Sequence, residues 1–331
     1  MKKVLFATTA LVATAGVAAA DVTFGGYGRF GLQHLENRAN DNFGNAQDDT
    51  LIESRFRLNI DASTESDAGV TFGARIRIEA NENADGSANV GTFNGARFHA
   101  ETGGFRLEVG NVAHAIDNMA TLYDYDLGLT GSIGLSHNYG GPNTGYSGNG
   151  AGVNGVSAIY SVGDFRAQLT YSGDNDGNFA AATGQGTAAF VAASGTGRKT
   201  VSASVAYTFS GWTVALAHED TKDDNGLVAQ QSDGTVLTVG GNLGVANVGF
   251  FLADDSSEGT SYGIGATFDV GAATSVSALI TAGGDDTTVT KDTAFGVGFN
   301  HDLGGGVALK GMIARNNADN TAADLGVIFN F

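Results

Sequence analysis

A two-residue alternation of apolar and polar side chains constrains the fold of this chain more than any other feature of its sequence. The alternation is clearest in residues 51–61 and 69–79. In the first segment the two sets are Ile52, Ser54, Phe56, Leu58 and Ile60 against Glu53, Arg55, Arg57, Asn59 and Asp61. Successive side chains of a β-strand point to opposite faces of the sheet. Each segment therefore predicts a strand with one apolar and one polar face, and neither fits an amphipathic helix.

The same analysis gives about sixteen candidate strands, near 22–34, 50–61, 69–80, 93–101, 104–111, 153–161, 164–172, 200–209, 212–220, 234–243, 246–254, 260–269, 274–282, 292–301, 307–315 and 321–331. Short connections such as 102–104 and 210–211 alternate with longer polar ones such as 173–199 and 221–233. Short periplasmic turns that alternate with long external loops are typical of outer-membrane barrels, whereas a soluble sandwich has no reason to keep this alternation. The sequence predicts an all-β fold, a transmembrane antiparallel β-barrel.

The N-terminus predicts export. Lys2 and Lys3 precede an apolar run over residues 4–17, and three alanines at 18–20 supply a cleavage pattern. A transmembrane helix is the alternative, but about 17 residues are short for a span of roughly 20. We expect a signal peptide at residues 1–20 and a single barrel domain at residues 21–331.

Charge and composition exclude several classes of function. The chain contains no cysteine, so it has neither thiol chemistry nor disulfides. Its formal net charge is −18, and removal of Lys2 and Lys3 with the signal peptide makes this −18 − 2 = −20. Such acidity argues against a nucleic-acid partner.

Three segments resemble a known family. They are Asp-Val-Thr-Phe-Gly-Gly at 21–26, Phe-Arg-Leu-Glu-Val-Gly-Asn at 105–111 and Ala-Asp-Leu-Gly-Val-Ile-Phe-Asn-Phe at 323–331. In order and spacing they are similar to the trimeric general porins of Gram-negative bacteria, of the alphaproteobacterial type. The resemblance implies sixteen strands, a homotrimer in the outer membrane among lipid and lipopolysaccharide, and a third external loop folded into the lumen. The Pro-Glu-Phe-Gly-Gly motif of enterobacterial porins is missing from this loop.

Charged residues predict a pore constriction. Seven arginines lie on the polar parity of the first five strands: Arg29, Arg55, Arg57, Arg75, Arg77, Arg97 and Arg106. One interpretation is that Glu53, Glu79, Glu101 and Glu108 simply pair with them. The other is that Arg55, Arg57, Arg75, Arg77 and Arg97 face Asp117, Asp124 and Asp126, which lie where the resembled family places its inward loop. The two sides would set up a transverse field that favours dipolar solutes.

The predicted function is passive diffusion of ions and small hydrophilic solutes, weakly favouring cations, without a cofactor or an enzymatic activity. The alternatives are a substrate-selective channel with a saturable lumen site, a soluble exported binding or adhesion protein, and a barrel enzyme. Acidic loops with Asp223, Asp224, Asp254, Asp255 and Glu258 are either solvated or loose sites for divalent cations. The glycine pattern at 26–31 lacks the βαβ context of a dinucleotide site.

Overall fold

The computed structural model describes residues 21–39, 46–81, 90–146, 153–173, 198–223, 232–284 and 293–331. The predicted signal peptide lies outside the described residues, as does most of the predicted connections 173–199, 221–233 and 283–291. No helix in the described ranges is both long enough and apolar enough to cross a membrane.

Seventeen strands make one sheet. Their bounds are β1 Asp21–Leu35, β2 Thr50–Glu65, β3 Thr71–Asn81, β4 Thr92–Phe93, β5 Arg97–Thr102, β6 Phe105–Asn111, β7 Asn154–Val162, β8 Phe165–Gly173, β9 Arg198–Phe209, β10 Trp212–Asp223, β11 Ser232–Asn242, β12 Asn247–Asp255, β13 Gly259–Asp269, β14 Thr274–Gly283, β15 Thr293–Gly304, β16 Val307–Arg315 and β17 Thr321–Asn330. Strands β4 and β5 pair with successive parts of β3, so they occupy a single position. The sheet is therefore sixteen strands around, as the family resemblance implies.

The sheet closes on itself because β1 pairs antiparallel with both β2 and β17. The seam extends one residue beyond β17, where the backbone N–H of Phe331 donates to the carbonyl of Gly26 at 3.1 Å. Its ring also stacks on that of Phe56, with the centroids 5.7 Å apart. All other pairings are antiparallel and, apart from that of β3 with β5, join strands adjacent in the chain, which confirms the predicted antiparallel barrel.

Alternating residues cover the outside of the barrel with apolar side chains. Exposed examples from six strands are Phe30, Ile52, Phe72, Leu169, Leu252 and Leu325. Tyr207 and Phe209 lie on the same outer face at a short-turn end and stack with ring centroids 6.3 Å apart. An outer face of this kind suits lipid, while the other parity faces the lumen.

The short turns contain the left-handed residues that tight hairpins need. Gly103 and Gly104 join β5 to β6 with φ angles of 56° and 81°. Two-residue turns with both φ angles positive match the twist of the flanking strands, and glycine adopts them without a steric penalty. The predicted turn at 102–104 is thus confirmed.

Candidate pore constriction

The segment that follows β6 folds into the barrel instead of outward. Residues 112–146, here named the constriction loop, contain the largest group of fully buried side chains of the described chain, among them Ile116, Leu122, Leu127, Ile133 and Leu135. These side chains form one cluster with lumen-facing residues of the far wall: Ala215, Ala217, Val236, Phe251, Ala253, Leu279, Met312, Ala314 and Ala322. The apolar core of this protein is therefore inside the lumen, between the loop and strands β10–β17.

This core corrects one expectation from the sequence. Nearly every strand was expected to have a polar lumen face, but the inner faces of β10 to β12 are small or apolar where the loop covers them. Glycines make room for the loop: a Cβ at Gly249 would overlap the ring of Tyr125. Burial of apolar side chains holds the loop against this wall.

Polar contacts fix the start of the loop. The imidazole of His114 is fully buried, with Nε2 2.9 Å from the hydroxyl of Ser172 on β8 and Nδ1 3.0 Å from that of Ser202 on β9. The backbone N–H of Ala115 donates to the same Ser202 hydroxyl at 2.9 Å. These strands thus position the outgoing limb of the loop.

A carboxylate holds the far part of the loop. Asp324, on the inner face of β17, accepts hydrogen bonds from the backbone N–H groups of Leu129 and Thr130, both at 2.9 Å, and from the Thr130 hydroxyl at 2.7 Å. The guanidinium of Arg29 on β1 donates to the Leu129 carbonyl at 3.2 Å. The loop therefore follows the inner wall from β8 round to β1.

The predicted arginines lie on the remaining inner wall. Arg55 and Arg57 extend from β2, Arg75 and Arg77 from β3, and Arg97 from β5. Their side chains are partly accessible, from 13% for Arg97 to 35% for Arg75 among those in ion pairs. These strands, named here the arginine wall, face the constriction loop across the open part of the lumen.

Carboxylates of neighbouring strands pair with most of the wall. The ion pairs are Arg29–Glu53, Arg57–Glu79, Arg55–Glu79, Arg75–Asp61, Arg97–Glu108, Arg106–Glu108 and Arg106–Glu101. The interpretation that the glutamates pair with the arginines thus describes the structure. The seven arginines of β1 to β6 outnumber the five carboxylates that pair with them by 7 − 5 = 2 charges.

Arg77 differs from the other arginines of the wall in that it forms no ion pair with the residues that the structure describes. Its Nε donates to the side-chain oxygen of Asn59 at 2.8 Å. Its guanidinium carbon also lies 4.5 Å from the ring centroid of Tyr146, and that of Arg97 lies 4.4 Å from the same ring. One loop tyrosine therefore contacts two arginines by cation–π interactions.

Asp117, which is also on the constriction loop, is hydrogen-bonded to the same tyrosine. Its carboxylate accepts a hydrogen bond from the Tyr123 hydroxyl at 2.8 Å and from the backbone N–H of Tyr146 at 3.2 Å. Of the three predicted loop carboxylates, Asp117 is the one that the structure links to the arginine wall, through Tyr146.

The other two predicted carboxylates lie farther along the loop. Asp124 is exposed and lines a cavity against the short-turn ends of β10 to β13. Asp126 is half-buried in the loop, and burial raises its pKa to about 7, although Lys310 on β16 acts in the opposite direction. The structure thus distributes the three carboxylates along the loop instead of gathering them at one point.

The residues that contact the far part of the loop could not be identified from the sequence. Asp324 and Lys310 have lumen parity in their strands, but nothing in the sequence shows that a distant loop reaches them. Tyr146 offered a signal in principle, because an aromatic residue in a polar loop of a cationic pore is a candidate for stacking on arginine. Among the described residues, no cluster of three or more His, Asp or Glu side chains is arranged to hold a metal ion.

Comparisons with known proteins agree with this architecture. The profile of the family described as Gram-negative porin matches residues 7–321. The porin of Fuscovulum blasticum is 32% identical over 294 residues, which cover 81% of this chain and 97% of that protein. Solved structures of two substituted variants of Rh. blastica porin superpose with TM-scores of 0.76 and 0.75 at 26% and 27% identity, each covering 94% of this chain and 100% of the other.

Proposed function

The chain belongs to the Gram-negative porin family, and on that premise we propose how its constriction selects among solutes. As a porin with a closed sixteen-stranded barrel, it is a multi-pass outer-membrane protein and a channel for passive diffusion of solutes. Membership of this family implies a channel rather than an enzyme.

The proposed filter lies between the arginine wall and the constriction loop. Arg55, Arg57, Arg75, Arg77 and Arg97 form its cationic side, and Asp117, Asp124 and Asp126 form the acidic side. The observation that carries the proposal is that the loop covers the inner wall from β8 to β17 while the arginine-bearing strands stay partly accessible opposite it. Fixed charges of opposite sign across a narrow passage orient dipolar solutes, and apolar solutes must displace oriented water.

Selectivity follows from how these charges are paired. Because five carboxylates pair with the seven arginines of β1 to β6, this set of side chains keeps an excess of only two positive charges. The net charge of the mature chain is far larger and negative, −20 after loss of the two leader lysines from −18. We propose a weak preference for cations, set mainly by the acidic loops and by the carboxylates of the constriction loop.

The assembled form we propose is a homotrimer among outer-membrane lipids and lipopolysaccharide, used by ions and small hydrophilic solutes. The family supports an oligomeric channel. The proposal includes no resident cofactor. Loose binding of divalent cations at Asp254, Asp255 and Glu258 stays a prediction, and the side chain of Asp223 and all of Asp224 lie outside the part of the chain that the structure describes.

Single-channel recording in a planar lipid bilayer tests the proposal. We expect large conductance steps, often in threes and proportional to salt, and a reversal potential in a salt gradient that indicates weak cation preference. Replacing Arg75 and Arg77 together by Ala should increase conductance and move the reversal potential further towards cations. If both values stay unchanged in the double variant, these arginines do not belong to the filter.

The second candidate, a substrate-selective channel, differs in one measurable way. Conductance carried or blocked by one preferred solute would saturate with its concentration, whereas a general pore responds in proportion. A folded, inserted sample that gave no steps in salt would contradict the general-pore proposal and favour a narrower, selective channel.

A further inference from the structure

A second polar site lies in the lumen, away from the arginine wall. A cavity of about 470 Å³ opens between the constriction loop and the short-turn ends of four strands. Its lining includes Thr121, Asp124, Thr213, Asn247 and Thr267. Because short turns mark the periplasmic end, the cavity lies on the periplasmic side of the loop. It is named the vestibule cavity below.

The chemistry of the vestibule cavity is unlike that of the arginine wall. Hydroxyl and amide groups and one exposed carboxylate, Asp124, face it, and no arginine, lysine or histidine belongs to the lining formed by described residues. Such a wall both donates and accepts hydrogen bonds but repels anions. A concave site with a few convergent polar groups is the usual form of a small-molecule site.

Backbone strain marks the same place. Thr121 has a φ of 64°, which is unusual for a β-branched residue and carries an energetic cost. Its hydroxyl oxygen is buried without a hydrogen-bond partner among the described residues. A Cβ at Gly240 on β11 would overlap the methyl group of Thr121, so a glycine is required to seat this strained residue on the wall. The strain is thus maintained by the fold at the edge of the cavity.

Some polar groups of the lining are already used and others are free to bind. Asn242 donates to the side-chain oxygen of Asn247 at 2.9 Å, and Thr267 shares a hydrogen bond with Ser277 at 2.8 Å. These contacts fix the side chains and leave the Asn247 amide hydrogens for a ligand. No hydrogen bond or ion pair among the described residues engages the side chain of Asp124.

We propose that the vestibule cavity binds a neutral polyhydroxylated solute, such as a monosaccharide, with Asp124 as its main hydrogen-bond acceptor. The two oxygens of a carboxylate can accept hydrogen bonds from two adjacent hydroxyl groups, and hydrogen bonds to a charged acceptor are stronger than neutral ones. Amide and hydroxyl groups of the lining would contact the remaining hydroxyls. The inference goes beyond the proposed filter, with which it shares Asp124, and rests on it in that the solute must enter the lumen.

Blockade of the ion current by sugar tests this site in the complete protein. Glucose is added in steps to both sides of a bilayer that holds open channels, with tetraethylene glycol as a solute of similar bulk without vicinal hydroxyls. We expect conductance to fall along a saturating curve as the glucose concentration rises. With tetraethylene glycol it should fall in proportion to the concentration of the glycol. An equally linear response to both would overturn the proposal.

Variants locate the site. Asp124→Asn keeps the size of the side chain but loses its charge, and should raise the half-blocking glucose concentration about tenfold. Thr267→Val removes one hydroxyl without changing shape and should raise it a few-fold. Asp164→Asn, in the short turn between β7 and β8, is the matched control and should leave it unchanged.

Four other outcomes are decisive. An unchanged half-blocking concentration in Asp124→Asn would overturn the assignment of this residue. Saturating block by methylammonium but not by glucose would make the cavity a cation site and overturn the polyol proposal. Normal conductance steps in salt without a saturating block by glucose would reject sugar binding in the cavity and leave the proposed filter intact. Absence of conductance steps would reject the proposed channel itself.

Discussion

The carboxylate of Asp324 accepts a 2.9 Å hydrogen bond from the backbone N–H of Leu129, a residue 195 positions earlier in the chain. Only 6% of Asp324 is exposed, and its second oxygen is used by Thr130. One strand residue thus satisfies two loop N–H groups that would otherwise be buried without partners. We regard this contact as the main polar anchor of the constriction loop on β17.

Asp324→Asn should loosen that anchor. In asparagine one of the two oxygens becomes an NH2 donor, so either Leu129 or Thr130 loses its acceptor, and a charged hydrogen bond contributes about 1.5–3 kcal/mol. We expect noisier open-channel current with added subconductance levels, together with lower heat resistance. Asp67→Asn, in an exposed turn between β2 and β3, is the control. Quiet, wild-type-like current in Asp324→Asn would show that apolar packing alone holds the loop.

Tyr146 should act through its ring and not through its hydroxyl. The ring lies 4.5 Å or less from two guanidinium carbons, while the hydroxyl oxygen is buried without a described partner. Tyr146→Leu should therefore free Arg77 and Arg97, at a cost of about 0.5–1 kcal/mol for each contact, and change both conductance and reversal potential. Tyr146→Phe keeps the ring and should stay close to wild type. Equal effects of the two substitutions would contradict a cation–π role.

Asp126 should make ion selectivity depend on pH near neutrality. Burial raises the pKa of this loop carboxyl to about 7, so it gains a proton as pH falls from 8 to 6 and the lumen loses a negative charge. Cation preference should therefore decrease over that range, measured as the reversal potential in a fixed salt gradient. The ordinary pKa of histidine also falls in this range. The test is therefore the difference between the pH profiles of wild type and Asp126→Asn, because the variant should lack the change in reversal potential that Asp126 causes. Identical pH profiles would place Asp126 outside the conducting path.

The contribution of Asp126 to stability changes with pH in the opposite direction to that of an ordinary carboxylate in an ion pair. A folded-state pKa of about 7 lies above the ordinary aspartate value of 3.8, so the folded state binds the proton more tightly than the unfolded state. The contribution of Asp126 to stability is present below pH 3.8 and is lost as pH rises towards 7. Asp126→Asn should consequently be at least as heat-resistant as the wild type at pH 8.

Gly28 should be essential for the seam between the first and last strands. It lies opposite Phe56 on β2 and Phe329 on β17, and a Cβ there would overlap the Phe329 ring. Gly28→Ala should reduce stability by about 1–3 kcal/mol through overpacking, seen as a lower unfolding temperature of the detergent-purified protein. Gly271→Ala, where a Cβ meets nothing within 4 Å, should be neutral. Similar losses in both variants would point to backbone entropy instead of the Phe329 contact.

Local patterns predicted the fold well because each barrel strand shows the two-residue alternation within its own sequence. The alternation in residues 51–61 set both strand type and facing, and it placed Arg55 and Arg57 on the lumen side. The last strand pairs with the first, and the Gly26–Phe331 hydrogen bonds extend that seam to the final residue. Pairing between sequence neighbours then left little freedom in topology.

The site was predicted less completely. Parity identified the arginines, and the family resemblance implied the inward loop, but the loop has no periodicity from which its path follows. Its placement depends on contacts such as those of Tyr125 with Gly249 and of Asp324 with Leu129, which join distant segments of the chain. Whether Asp124 and Asp126 shape the filter, as Asp117 is placed to do, stays a prediction.

The amino-acid sequence by itself determined the barrel, the orientation of its two faces and the concentration of arginines on the first strands, because these features depend on the period-two pattern of single strands. Only the tertiary structure decided where the lumen is filled and where it stays open. Packing of the loop on small residues of β10 to β17 buries apolar surface that no strand displays alone, and that packing directs Tyr146 and Asp117 towards the arginine wall. The pore is therefore encoded locally, while its constriction depends on long-range contacts.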